Sequence, residues 1–216
     1  MNIIIKKQPW WMTGGITATP IGVWKPKGAV SLAASYVNLA KPGNPDITEG
    51  SAPTWDNVSG WVFNGTSYLI SNIYPLSDAS MTIACRFSDA TGTSNHGIFG
   101  SGNNSSPYNG CMFQHSLSNN KKQYSNDGLS SALGRYTSGV ACVNGRAGYM
   151  NGILDVGPWT DSAQAMPTDH LIYIGGLDLD GSVAQRAACK IQAIAIYSGT
   201  LTADQVKALY VTMARL

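Results

Sequence analysis

KIQAIAIYSGTLTADQVKALYVTM, residues 190–213, joins an apolar strand-like run to a helix near the end of the chain. Thr202 and Gln205 have the spacing of a capping box, in which each side chain bonds the backbone amide of the other. An apolar stripe then recurs at i, i+3, i+4 and i+7, formed by Val206, Leu209, Tyr210 and Met213. Because the stripe is single, we expect one short helix that lies across an already folded body.

Upstream of this helix, short apolar runs alternate with turns. Residues 81–87, MTIACRF, alternate with the period of two that a half-buried strand shows. Similar runs occur at 22–24, 60–63, 67–70, 97–100, 110–114, 139–143, 147–150, 153–156 and 171–176. Asx-Gly pairs, which favour tight antiparallel turns, lie between them at 64–65, 109–110, 127–128, 144–145, 151–152 and 180–181. The pattern predicts an all-β, antiparallel sandwich or barrel.

The composition indicates one globular chain. Its 216 residues are 44% hydrophobic and only 12% charged, with a formal net charge of +2. That charge is too small to indicate a nucleic-acid partner. No run is long enough to span a bilayer, and the start lacks the apolar core of a secretory signal, so we expect synthesis in a cytoplasm.

The four cysteines lie far apart in or beside apolar runs, at Cys85, Cys111, Cys142 and Cys189. Buried free thiols are therefore favoured over two disulfides. Zinc is less favoured still, because the sequence has no C-x-x-C pair.

Residues 1–20 differ from the rest and predict an N-terminal arm, whereas residues 21–216 predict the sandwich domain. The arm carries a dense apolar set, consisting of Ile3, Ile4, Ile5, Trp10 and Trp11. Tryptophan is enriched where protein surfaces meet. The arm is thus a candidate contact segment toward another chain, although packing of both tryptophans on their own domain fits equally well.

Several segments resemble the concanavalin A-like lectin/glucanase superfamily, in particular its laminin G-like and pentraxin-like domains. They are WVFNG and SYL (61–65, 67–69), MTI (81–83), YMNG (149–152), IYIGG (172–176) and LTADQVKALY (201–210). The resemblance spans roughly residues 22–214. It implies an antiparallel jelly-roll β-sandwich, a fold that hosts lectins, glycosidases and purely structural domains.

A second resemblance concerns WKPKGA (24–29) and SYVNLA (35–40), which are similar to the opening of laminin G-like proteins often encoded among bacteriophage structural genes. It implies a virion surface protein, such as a decoration, head-fibre or tail-associated module. Such a protein would dock through its arm on other virion proteins or on copies of itself. An extracellular or cell-surface location is the alternative.

The laminarinase-type hydrolases of the superfamily use an E-x-D-x-x-E strand, but this chain has a single glutamate, Glu49. Asp178 and Asp180 could supply an acidic pair, yet a polar turn is the favoured interpretation and a weak calcium site the next. The three histidines, His96, His115 and His170, are far apart in sequence. We therefore expect no enzyme activity and no cofactor, with glycoside hydrolysis as the least favoured function.

Two polar loops offer material for sugar binding, which is the alternative function of a lectin-like adhesion module that recognises a cell-surface glycan. One loop contains Asn103, Asn104 and Tyr108, and the other contains Trp159 and Asp161. Functional residues concentrate on such loops. The competing interpretation is that each aromatic ring plugs an end of the sandwich.

Overall fold

The computed structural model describes residues 8–77, 80–103, 110–117, 121–126, 129–159 and 168–216, with the backbone alone at 126 and 129–133. Its helical segments are a 3-10 helix (Trp10–Gly15), α1 (Leu32–Ser35) and α2 (Ala203–Met213). The strands up to the middle of the chain are β1 (Thr19–Trp24), β2 (Thr48–Ser51), β3 (Thr54–Asp56), β4 (Gly60–Asn64), β5 (Tyr68–Ile70), β6 (Met81–Thr91), β7 (His96–Gly102) and β8 (Gly110–Ser116). The later strands are β9 (Lys121–Asn126), β10 (Leu129–Leu133), β11 (Gly139–Asn144), β12 (Ala147–Met150), β13 (Ile153–Val156), β14 (Tyr173–Ile174), β15 (Leu177–Leu179), β16 (Ser182–Ala184) and β17 (Ala188–Ser198).

Two sheets pack face to face. Sheet A has the order β13-β12-β11-β6-β17-β4-β3, with β1 also paired to β17. Sheet B has the order β10-β9-β8-β7-β14-β5-β2, with the β15–β16 hairpin beside β7. The ladders are antiparallel except for a short parallel contact between β15 and β7. This arrangement confirms the predicted all-β, jelly-roll-type sandwich with a short C-terminal helix.

Strand β17 lies near the middle of sheet A and is buried on both faces. Its inward side chains Ile194 and Ile196 belong to the core between the sheets. Its outward side chains Ala195 and Tyr197 belong to a second apolar cluster beneath α2. All four are completely buried. Burial on both sides explains why the run is almost continuously apolar, as strands covered on both faces usually are.

Helix α2 begins at the predicted capping box. The Gln205 amide donates to Thr202 Oγ1 at 3.2 Å, and the Thr202 amide donates to Gln205 Oε1 at 2.9 Å. The buried side of the helix, formed by Val206, Leu209 and Met213, faces sheet A. In the part of the chain that the structure describes, no helix has the length and apolar character needed to cross a membrane.

The described part of the N-terminal arm packs beside α2. Trp10 and Trp11 meet edge to face, with ring centroids 5.6 Å apart, and both join the apolar cluster under the helix. The Tyr197 hydroxyl donates to the Trp11 carbonyl at 2.7 Å. A Cβ on Gly14 would approach the Ala208 Cβ to 2.4 Å, so this contact requires glycine. These residues therefore help α2 to cover sheet A.

Two buried tryptophans obtain hydrogen-bond partners from the one-turn helix α1. Trp24 Nε1 donates to the Tyr36 carbonyl at 3.0 Å, and Trp61 Nε1 donates to Ser35 Oγ at 2.7 Å. Asn38 is also completely buried, and its side-chain amide bonds the backbone of β1. A buried indole N–H needs such a partner. The segment 24–40 thus has a structural task in the core.

Two Asx-Gly pairs form the tight turns that the sequence predicts. Asn151 and Gly152 join β12 to β13 with φ values of 53° and 74°. Asp180 and Gly181 join β15 to β16 with φ values of 54° and 76°. Positive φ at both central residues is the signature of a type I′ hairpin turn.

The pair at 64–65 behaves differently, because it connects β4 in sheet A to β5 in sheet B. Asn64 Oδ1 accepts the amides of Thr66 and Ser67 at 2.9 and 3.1 Å. The pair therefore forms a corner between the sheets, not a hairpin. The pair at 127–128 and residue Asn109 lie outside the described residues.

The four cysteines are free and buried, as predicted. Burial is the largest cause that raises the pKa of each thiol, to about 12 at Cys111 and Cys189. A raised pKa keeps a thiol protonated and unreactive.

A buried histidine stands at one end of the sandwich. The His115 ring is 1% exposed and stacks on His96 with ring centroids 6.0 Å apart. Burial, followed by the neighbouring His96, lowers the pKa of His115 to about 4.

We predict that Ala195→Leu destabilises the fold by about 1–3 kcal/mol, because the added atoms have no room between β17 and α2. The matched variant Ala203→Leu, at an exposed position of α2, should stay within about 0.5 kcal/mol of the parent. Urea unfolding measures both. Equal stability of the two variants would show that α2 does not pack tightly on β17.

We predict that the free energy of unfolding falls as the pH is lowered from about 6.5 toward 4. In this window unfolded His115 takes up a proton while folded His115 resists it, so acid favours the unfolded state. The variant His115→Phe should lose this part of the pH dependence, whereas His170→Phe should keep it. Urea unfolding at several pH values tests this, and an unchanged slope for His115→Phe contradicts it.

Candidate functional site

A polar pocket of about 440 Å³ opens on the outer face of sheet A, where α2 ends. Strands β6 and β17 line it, together with loops at Ser59 and Ser138 and the last part of α2. Under the helix, the outward residues of these strands are small, such as Ala84 and Ala195. Beyond the helix, the same outward rows become polar. The pocket is thus the part of the sheet that the helix leaves uncovered.

Arg86 connects this pocket to the end of α2. Its Nη1 donates to the Met213 carbonyl at 3.0 Å. A cation at this position compensates the negative end of the helix dipole. The Met213 carbonyl also accepts the Leu216 amide at 3.1 Å. Partial burial lowers the pKa of Arg86, but a guanidinium remains charged at any physiological pH.

Two lysines add further positive charge. Lys190 Nζ lies 2.7 Å from Asp89 Oδ2, and this hydrogen bond is the main cause that raises the pKa of Lys190. Lys27 lines the pocket as well, and its backbone amide donates to the Gln192 carbonyl at 3.4 Å. Of the ionisable groups on the described lining, three are cations and one is a carboxylate.

The loop at 58–59 is fixed by Asp56. Its Oδ1 accepts the amides of Val58 and Ser59 at 2.8 and 2.6 Å. These bonds, with the one from Ser59 contributing most, lower the pKa of Asp56. The carboxylate acts here as the acceptor of a tight turn, which holds this edge of the pocket in place.

Among the polar side chains that line the pocket, that of Gln192 is the most deeply buried, and the residue is 6% exposed. Its Nε2 donates to Ser88 Oγ at 2.9 Å and to the Ser59 carbonyl at 3.4 Å. Its Oε1 has no hydrogen-bond partner among the described residues. A buried acceptor of this kind is costly unless a ligand or water donates to it.

Tyr210 supplies an aromatic wall. It projects from α2 over the turn at Gly152, where an added Cβ would come within 3.0 Å of the Tyr210 ring. Asn151 holds this turn, because its Oδ1 accepts the Val140 amide at 2.9 Å. The pocket therefore combines one partly exposed ring, several hydroxyl and amide groups, and an excess of cations.

The structure describes two of the five residues predicted for sugar binding, and neither of these two lines the pocket. Trp159 is 8% exposed and belongs to the core, so its ring has no open face for stacking. Asn103 is partly buried just after β7. Asn104, Tyr108 and Asp161 lie outside the described residues. Trp159 therefore has no exposed ring face on which a sugar could stack. Its position fits the competing interpretation, in which the ring fills an end of the sandwich.

The two aspartates predicted as a weak calcium site have different surroundings. Asp178 is 3% exposed, its Oδ2 accepts the Leu171 amide at 3.1 Å, and burial raises its pKa. Asp180 is exposed in its hairpin turn, with Oδ1 4.0 Å from His170 Nε2. Across the described ranges, no three His, Cys, Asp or Glu side chains are grouped to hold a metal ion. Asp180 fits the polar-turn interpretation, whereas Asp178 is a buried residue of β15.

The candidate contact residues of the arm divide into two groups. Ile3, Ile4 and Ile5 lie outside the described residues. Trp10 and Trp11 pack on their own domain, as described above. Contact of the arm with a second chain remains a prediction.

The sequence analysis did not identify the pocket residues as a site. Arg86 and Lys190 are the outward polar residues of two strands whose neighbours are apolar, and this alternation is the signal that could have found them. Lys27 comes from a distant part of the chain. Only the pairing of β6 with β17, and the point where α2 stops, bring these charges together.

Comparisons with known proteins support the fold. A structure of Trypanosoma rangeli sialidase with 2,3-difluorosialic acid has a TM-score of 0.62 and 13% identity, and the match covers 92% of this chain and 33% of that one. The same sialidase with the inhibitor DANA gives a TM-score of 0.60, 16% identity and coverage of 90% and 33%. The chain thus spans about one third of these proteins. No protein-family model matches the sequence, and no curated protein matches it.

These findings correct the predicted function as a bacteriophage virion surface protein, which is wrong: the similar structures are sialidases, not virion components. The physical reason for the error lies in the segment 24–40. Its Trp24, Ser35 and Tyr36 satisfy buried hydrogen bonds of the sandwich core. These residues therefore indicate the fold and do not indicate a virion protein.

Proposed function

We propose that this chain is a carbohydrate-recognition domain that binds a saccharide without cleaving it. The observation that carries the proposal is the polar pocket at the end of α2, which Tyr210 and Gln192 both line and where Gln192 Oε1 is buried without a hydrogen-bond partner among the described residues. Sugars present apolar C–H faces and rings of hydroxyl donors. A pocket with one aromatic wall and fixed polar groups is suited to both features.

The fold supports a sugar as the ligand class. The similar structures belong to sialidases, and one of them is of Trypanosoma rangeli sialidase in complex with sialic acid. Since this chain corresponds to about one third of such a protein, the likeness concerns one domain and not the whole enzyme. The partner of the proposed domain is a free saccharide or a glycan on a cell surface.

Charge placement supports binding without hydrolysis. Most glycosidases need two carboxyl groups on either side of the scissile bond. Of the described residues that line the pocket, Asp89 is the carboxylate, and its partner is Lys190 at 2.7 Å. The described lining thus lacks the second carboxyl group that this mechanism needs.

We predict that the variant Ser138→Trp weakens saccharide binding roughly tenfold or more, because the indole fills the exposed side of the pocket. The matched control Ser51→Trp, at an exposed position of β2 in sheet B, should bind like the parent. A glycan array identifies the ligands, and calorimetry with the strongest of them measures the affinities.

The proposal fails if the parent binds no glycan, or if Ser138→Trp and Ser51→Trp bind equally well. Incubation of the parent with the bound oligosaccharide tests the second part. The expected result is an unchanged oligosaccharide by mass spectrometry. Release of shorter products would show that the domain is catalytic.

A further inference from the structure

We infer that the pocket at the end of α2 selects acidic saccharides, so that one site holds an anionic group and sugar hydroxyls together. This inference rests on the proposed function and narrows it to a ligand class. Its basis is the position of the charges around the pocket and of one buried acceptor among them.

The positive charges are not all neutralised by protein groups. Asp89 is bound to Lys190 at 2.7 Å, and Asp56 also interacts electrostatically with Lys190, so both carboxylates near the pocket act on this one lysine. Lys27 has no carboxylate within ion-pair distance among the described residues. Arg86 uses Nη1 for the Met213 carbonyl, which is a neutral partner. The charges of Lys27 and Arg86 thus remain available to an anion.

The guanidinium of Arg86 is well suited to this task. It is planar, has five N–H donors and matches the two oxygens of a carboxylate or sulfate better than an ammonium does. Its bond to the end of α2 fixes the side chain in advance. A ligand therefore loses little affinity to the ordering of this long side chain.

Gln192 favours the binding of an acidic sugar over that of a simple anion. Because Nε2 donates to the Ser59 carbonyl, which can only accept, the amide orientation is fixed and Oε1 must be the unpartnered acceptor. A carboxylate or sulfate ion cannot donate to it, but a sugar hydroxyl can. A ligand that carries both an anionic group and hydroxyls satisfies all these groups at once.

A direct test uses three matched probes in calorimetry: a tetragalacturonate, its carboxyl-reduced galactose form, and a sulfated galactose tetrasaccharide. We expect at least one acidic probe to bind the parent about tenfold more tightly than the neutral one, the effect of one or two charged hydrogen bonds. The two acidic probes distinguish a carboxylate from a sulfate as the preferred group. Added salt should reduce the difference.

Variants at Lys27 test the assignment without touching the end of α2. Lys27→Met should reduce the preference for the acidic probe several-fold, and Lys27→Arg should retain it, while thermal unfolding stays the same for both. Inorganic sulfate or acetate alone should compete weakly, since neither donates to Gln192.

The outcomes separate the two proposals. If neutral and acidic probes bind equally, selection for acidic sugars is wrong and carbohydrate recognition stands. If the acidic probes bind more tightly than the neutral one but Lys27→Met does not change this difference, the anion is bound elsewhere and the inference is overturned. If no saccharide of the array or of the matched set binds, both proposals fall together.

Discussion

The rest of the structure depends on the burial of β17 from both sides. Sheet B covers its inward isoleucines, but the outward residues Ala195 and Tyr197 would face water without a second cover. Helix α2 and the 3-10 helix at Trp10–Gly15 provide that cover. Val206, Leu209 and Met213 of α2 share one apolar cluster with Ala195 and Tyr197. A single terminal helix in a strand-rich chain is therefore the means by which sheet A acquires a third layer.

The pocket follows from the limited length of this cover. Because α2 ends at Met213, the outward rows of β6 and β17 continue beyond it and change from alanine to charged and amide side chains. Arg86 stands at this boundary, where its contact with the Met213 carbonyl serves the helix end and its charge serves the pocket. Arg86 would thus contribute both to the stability of the helix end and to the proposed binding site.

The sequence alone predicts most strands, the helix with its cap, and the free cysteines, because each of these depends on local periodicity or chemistry. It misses β9, where KKQYSN lacks an apolar period, and the one-turn helix α1. It also misses the short strands β2, β3, β10, β15 and β16. It treats the pair at 64–65 as a hairpin, since the same dipeptide can also turn a corner between sheets. The alternation in β6 and β17 could have indicated Arg86 and Lys190, but Lys27 comes from a distant part of the chain and joins them only in the folded structure. Trp159 was predicted on a polar loop, but its side chain belongs to the core.

Native-state hydrogen exchange tests the central claim most directly, because it measures the free energy at which each segment opens. If β17 needs α2 as its outer cover, amides of β17 from Ala193 to Tyr197 and those of the middle of α2 should exchange with the same high opening free energy, close to that of global unfolding. Exchange of the α2 amides at a much lower free energy, with β17 still protected, would contradict the account. The sandwich would then be stable without the helix.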